Sequence, residues 1–410
     1  MNLIDFIRYL LIVTMFQSNI CNIHSINIEN KNKKSEINNE DIIAGANQIS
    51  KYIDYINKSN IGIVANHTSV IFKKDNSSTH LVDSLLSLNL KISKIFTPEH
   101  GYKGENYNGE NVSDKVDQKT GLEIISLHGK DREYGKISDN DLIDINMMIF
   151  DIQDVGTRFY THISTLHYVM EACARNNIPL LVLDRPNPNG SYIDGPVLEN
   201  ENKSFVGMHP VPIVYGMTIG EYALMINGEG WLSGKLKCKL KVIKLLNYKH
   251  DYNYSLLIKP SPNLPNDRSI FLYPSLCLFE GTNISVGRGT TNQFQVFGSP
   301  YLDQKIYSFT FIPEPNQSSK YPPHNNKKCY GLDLRDHLLE RKLNLSYIIN
   351  AYKNTANKSE FFNDYFIKLS GTKDLKNQII NNISEKIIRK SWKDKIAEFK
   401  LIRKKYLIYK

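Results

Sequence analysis

Short apolar runs of strand length recur through the first half of this chain, and helical patterns fall between them. The runs cover 61–65, 92–96, 123–127, 147–152 and 179–183, with helical patterns at 79–90 and 162–176. A strand that is apolar almost throughout has to be covered on both faces. With helices as the connections, this pattern predicts a mostly parallel sheet in an α/β layer architecture. Ile163, Leu166, Met170 and Cys173 form a stripe at helical spacing, so they read as core. This first domain runs from 46 to 250.

A second region, 251–410, has a different texture. It opens on Pro260, Pro262 and Pro265, places Gly281, Gly287, Gly289 and Gly298 in a polar stretch, and carries a β-like segment at 307–312. Helical patterns follow at 332–343 and 375–389. The pattern predicts a smaller α/β domain closing against the first, with the cleft between them as the site.

The N-terminus reads as a targeting segment. Arg8 precedes an apolar run at 9–16, so 1–21 is expected to be a secretory signal peptide or a retained anchor, with export to the periplasm or cell envelope. The run is too short to span a bilayer. Ser18, Asn19 and Ile20 make a poor approach to a lipidated Cys21, and the Asn/Lys-rich stretch 22–45 reads as a flexible leader. Cys21, Cys173, Cys238, Cys277 and Cys329 form no CxxC pair, and no spacing indicates a disulfide. The net charge of +9 favours acidic partners without selecting one.

Polar segments follow the strands, and in open α/β sheets ligands bind beyond the strands' carboxyl ends. After the second strand comes FTPEHGYKGE (96–105), which presents Glu99 either as a general acid or as a partner for backbone amides or Lys103. After the fourth comes DIQDVGTRFYT (151–161). There Arg158 either pairs with Asp154 or grips an anionic substrate, and Tyr160 either stacks on a sugar or joins an interface core. DRPNPNG (184–190) is a stiff loop in which Asn187 and Asn189 either bind hydroxyl or acetamido groups or simply form a turn. In the second region, FEGTNISVGRGT (279–290) concentrates Glu280, Asn283 and Arg288 between glycines. Glu99 and Glu280 are possible partners across a cleft, since glycoside hydrolysis commonly uses two carboxylates.

Other chemistries lack their anchors. The sequence has no GxGxxG at the first strand–helix junction, no GxxxxGK[ST] and no GxSxG, so no nucleotide cofactor is expected. His100 and His162 are isolated histidines without HExxH spacing, and no metal is expected. No interleaving of aromatic and basic residues marks a nucleic-acid surface.

These loops, together with YGMTIGE (215–221), Phe294, Gly298 and Pro300, resemble the exo-acting β-N-acetylmuramidase family, formerly a bacterial domain of unknown function. The resemblance covers most of 60–300 in order. It implies a Rossmann-like N-terminal domain, a smaller C-terminal domain and a cleft between them. The implied reaction releases N-acetylmuramic acid from the non-reducing end of peptidoglycan-derived glycans, in cell-wall turnover.

By motif position, Glu99 matches the catalytic acid. Glu280 and Asp154 are further catalytic candidates, and His100, Arg158, Tyr160, Asn187, Asn189, Asn283 and Arg288 are candidates for substrate binding. Arg158 or Arg288 is available for the lactyl carboxylate of muramic acid. His128 stands where relatives are expected to carry tyrosine, and Asn66 to Ser69 is less glycine-rich than the usual first loop. The alternatives are a non-catalytic periplasmic protein that binds glycans or muropeptides, and a hydrolase of another cell-wall linkage.

Overall fold

The computed structural model describes residues 42–73, 75, 77–104, 114–128 and 135–409; the targeting segment expected at 1–21 lies outside them. Strands β1 (Ile61–Ala65), β4 (Ile92–Thr97), β6 (Glu123–Ser126), β7 (Met147–Asp151), β8 (Leu180–Leu183) and β9 (Leu240–Ile243) form a parallel array. Strand β5 (Lys115–Val116) adds an antiparallel edge, giving the order β5-β6-β4-β1-β7-β8-β9. Counting only the parallel strands in chain order, this is the 3-2-1-4-5-6 arrangement of a Rossmann-like sheet, whose direction of progression reverses between β1 and β7. A separate hairpin, β2 (Val70–Phe72) with β3 (Ser78–His80), follows β1.

The apolar strands are covered on both faces. Val64, Phe96, Phe150 and Val182 point to one core, which Ile163, Leu166, Met170 and Cys173 of helix α2 (His162–Arg175) close. Their strand neighbours Ile63, Ile95, Ile149 and Leu181 point to the opposite core with Leu81, Val82 and Leu85 of helix α1 (Leu81–Ser87). This is the period-two alternation of a strand, with a helix against each face. Helix α3 (Ile219–Gly228) packs beside α2.

The second domain holds the antiparallel sheet β10 (Val296–Ser299), β12 (Cys329–Asp333) and β11 (Phe309–Phe311), in the order β10-β12-β11. Around it lie α4 (Asp267–Leu276), α5 (Ser346–Lys353), α6 (Tyr365–Ser370), α7 (Asp374–Ile380) and α8 (Glu385–Ser391). Val155, Phe159 and Tyr160 from the loop after β7 pack into its core, so the two domains share apolar contacts at that loop. The last helix, α9 (Lys393–Lys404), returns to the first domain, where Phe399 joins the core behind α2.

Three local expectations are corrected. The pattern at 332–343 is no helix, because 329–333 pairs as β12 with strands on both sides and the Arg268 guanidinium takes the carbonyls of Leu334 and His337. Residues 42–45 of the expected leader are ordered, with Ile43 bridged to Leu246. The buried ion pair near the fourth strand joins Arg185 to Asp151, at 2.6 and 2.8 Å, and does not involve Arg158 and Asp154. Cys173, Cys238, Cys277 and Cys329 are buried free thiols.

Candidate active site

Strand β4 ends at Thr97, and Pro98 starts a tight turn in which the Gly101 amide donates to the Pro98 carbonyl. His100 and Gly101 both take left-handed backbone, at φ 71° and 74°. That tight turn leaves Glu99 half-buried at the strand's carboxyl end, where the Thr161 hydroxyl donates to its Oε2 at 3.3 Å. Thr161 follows β7, so the two segments that meet here flank β1 at the point where the sheet's progression reverses. Ligand sites of open α/β sheets lie at this place.

A cavity of about 380 Å³ opens there. The first domain supplies Glu99, His100, His128, Phe159, Tyr160, Thr161 and His162, with Phe205 on a later loop. The second domain supplies Tyr273, Glu280, Arg288, Phe294, Tyr365 and Lys368. Tyr160 crosses the junction by donating from its hydroxyl to the Pro260 carbonyl at 2.9 Å. Burial drives the pKa of His162 down to about 3, so this imidazole is neutral at ordinary pH. Burial also lowers His128, against the opposing pull of Glu99.

On the opposite wall, Arg288 Nε donates to Glu280 Oε1 at 2.5 Å, and Cys277 Sγ stands 3.6 Å from Oε2. Burial works against the Arg288 charge, but Glu280 outweighs it and holds the guanidinium above its usual pKa. Phe294 lies under the guanidinium, 5.3 Å from ring centre to Cζ. Tyr365 faces the same region. Burial, reinforced by Cys277, Glu280 and Glu99, pushes its phenol up.

Of the residues singled out from sequence, Glu99, His100, Tyr160, Glu280 and Arg288 line this cavity. Asp154, Arg158, Asn187, Asn189 and Asn283 do not. Asp154 turns inward, accepting from the Tyr215 hydroxyl and the Gly156 amide, and burial raises its pKa to about 6. Arg158 is fully buried, and its guanidinium donates to the carbonyls of Pro196, Val211, Leu369 and Ser370. Its Nε is left without a partner, but the side chain is buried away from the cavity and cannot grip a substrate there.

Asn187 donates to the Met217 carbonyl and accepts from the Asn189 amide. Asn189 in turn donates to the carbonyls of Val155 and Ile270, joining the loop after β7 to α4. Asn283 uses its backbone carbonyl to accept from His324. Among the lining residues that sequence reasoning did not nominate are Thr161, His162, Phe205, Tyr365 and Lys368. Thr161 closes the 151–161 motif and His162 directly follows it, which was the available signal; the other three carry none.

Sequence models of the N-terminal and C-terminal parts of exo-β-N-acetylmuramidase NamZ match residues 61–268 and 271–409. The chain belongs to the NamZ family. The peptidoglycan β-N-acetylmuramidase NamZ of Bacillus subtilis (strain 168) is 38% identical to it over 369 residues, covering 85% of this chain and 86% of that protein. Two crystal structures of DUF1343 family proteins from Bacteroides fragilis NCTC 9343 share its fold. One has 42% identity and a TM-score of 0.82, the other 28% and 0.76, and each comparison covers 90% of this chain and 99% of the other. Membership of the NamZ family makes this chain a glycoside hydrolase of peptidoglycan glycans.

Proposed function

We propose that the chain releases a β-linked N-acetylmuramic acid from the non-reducing end of peptidoglycan fragments, with Glu99 as the general acid. The observation that supports this reading best is that Glu99, from the first domain, and Glu280, from the second, line one cavity of about 380 Å³. A volume near the small end of ligand pockets suits a terminal sugar better than a long glycan. Glu99 gives its proton to the departing glycosidic oxygen as the bond to C1 breaks. Glu280, oriented by Arg288 at 2.5 Å, accepts from the acetamido N–H as the substrate's own carbonyl oxygen bonds to C1. A water then attacks C1, gives its proton back to Glu99 and opens the ring so formed to free N-acetylmuramic acid. We place the reaction in the cell envelope, on the strength of Arg8 and the apolar run at 9–16.

The test is mass analysis of products from a defined disaccharide of N-acetylmuramic acid β-linked to N-acetylglucosamine. The two free sugars are the expected products. An intact disaccharide after prolonged incubation with folded protein ends the reading.

A further inference from the structure

A muramic acid residue carries a carboxylate into this cavity, and the cavity already contains Glu99 and Glu280. With Glu99 protonated as the acid and Glu280 paired to Arg288, neither supplies a counter-charge for an anionic sugar, which calls for a further cation. Among the described lining residues, the lysine and arginine side chains are Arg288 and Lys368. Arg288 is held by Glu280, its Nε at 2.5 Å and its side chain only 12% exposed, and the Nη1 it leaves without a partner is itself buried. Burial keeps the neighbouring His162 imidazole neutral and lowers the pKa of His128, which disfavours its cation. Lys368 differs from all of these. It is exposed at the cavity wall and forms no ion pair or hydrogen bond among the described residues.

We propose that Lys368 reads the lactyl carboxylate and so sets the preference for muramic acid over sugars that lack it. This inference rests on the muramidase reading above. Lys368 lies three residues after Tyr365 on α6, one helical turn along the same face, and both residues line the cavity. The helix is held in place from the other domain, where Arg158 Nη2 donates to the carbonyls of Leu369 and Ser370 at 2.9 and 2.7 Å. Next to it, Gly371 takes φ 76°, and a Cβ at that position would lie 2.6 Å from Arg158 Nη2. A buried guanidinium at the C-terminal end of α6 thus fixes the register of the lysine that directly precedes Leu369 and Ser370. Arg158 is a positioning residue, and Lys368 makes the contact.

The experiment compares kcat/KM on three chromogenic glycosides: β-N-acetylmuramic acid, its methyl ester, and β-N-acetylglucosamine. The ester keeps the bulk of the lactyl group and removes its charge. Wild type is expected to favour the acid over the ester by about ten- to hundredfold, the range of a charge-assisted hydrogen bond. In Lys368→Met the ratio falls to near one, and in Lys368→Arg it is largely retained. An unchanged acid-to-ester ratio in a folded Lys368→Met protein overturns the proposal while leaving the muramidase reading intact. A wild type that cleaves none of the three overturns both.

Discussion

The Nη2 atom of Arg158 lies 2.7 Å from the carbonyl oxygen of Ser370, across the junction between the two domains. The guanidinium also holds the carbonyls of Pro196, Val211 and Leu369, with no carboxylate partner in that set. Burial pulls its pKa down to about 9, the shift expected of a charge removed from water and compensated only by dipoles. Arg158→Met strands these carbonyls in a dry environment. At about 1–3 kcal/mol for each unsatisfied buried group, with partial relaxation, the variant should lose at least about 3 kcal/mol of unfolding free energy. Urea unfolding measures this, and a loss within about 0.5 kcal/mol of zero would show that the junction does not depend on the guanidinium.

Glu99→Gln keeps the shape of the side chain and the contact with Thr161 but removes the proton to be donated. Removal of a positioned general acid lowers turnover by about a hundred- to ten-thousandfold. The fall should appear in kcat, with KM changed little. Turnover equal to that of wild type would exclude Glu99 as the acid.

Glu280 makes a different prediction because of Arg288. In Glu280→Gln the guanidinium stays largely buried without its counter-charge, and breaking such a pair costs about 3 kcal/mol. Replacing both residues, as Glu280→Gln with Arg288→Met, should be less destabilising than Glu280→Gln alone, because no unpaired charge is left. Activity is lost in both variants. Thermal unfolding distinguishes them, and equal melting temperatures for the single and double variants would mean that the ion pair carries no such penalty.

How far the sequence anticipates this site depends on what each residue type can signal. The alternation of apolar runs with helical patterns carries the Rossmann-like sheet, since burial on both faces leaves a mark on every residue of β1, β7 and β8. A polar residue after a strand leaves no comparable mark. Asp154 and Glu99 look alike in sequence. Gly156, at φ 78°, allows the loop to pack on Asn187 while Asp154 accepts the Gly156 amide, whereas the turn at His100 and Gly101 leaves Glu99 at the cavity. Arg158 could be read as a substrate grip because its acceptors, Leu369 and Ser370, are more than two hundred residues away. Lys368 sits in no motif, and only the packing of α6 against the first domain brings it to the wall.

Asp154 makes stability depend on pH with an unusual sign. Burial raises its pKa from 3.8 to about 6, against the lowering effect of the Tyr215 hydroxyl and the backbone amides. The native state therefore holds a proton that the unfolded chain releases between about pH 4 and pH 6. The contribution is fully present below the unfolded pKa and disappears as pH rises through the native one, so it weakens the fold toward neutrality. Two pKa units correspond to about 3 kcal/mol. Asp154→Asn cannot ionise and loses this dependence. Urea unfolding from about pH 4 to about pH 8 should show wild type losing stability relative to the variant across the lower half of that window and running parallel to it above. A constant offset between the two proteins would show that Asp154 ionises as readily in the fold as in the open chain, and a wild type that gains relative to the variant as pH rises would show that it ionises more readily there.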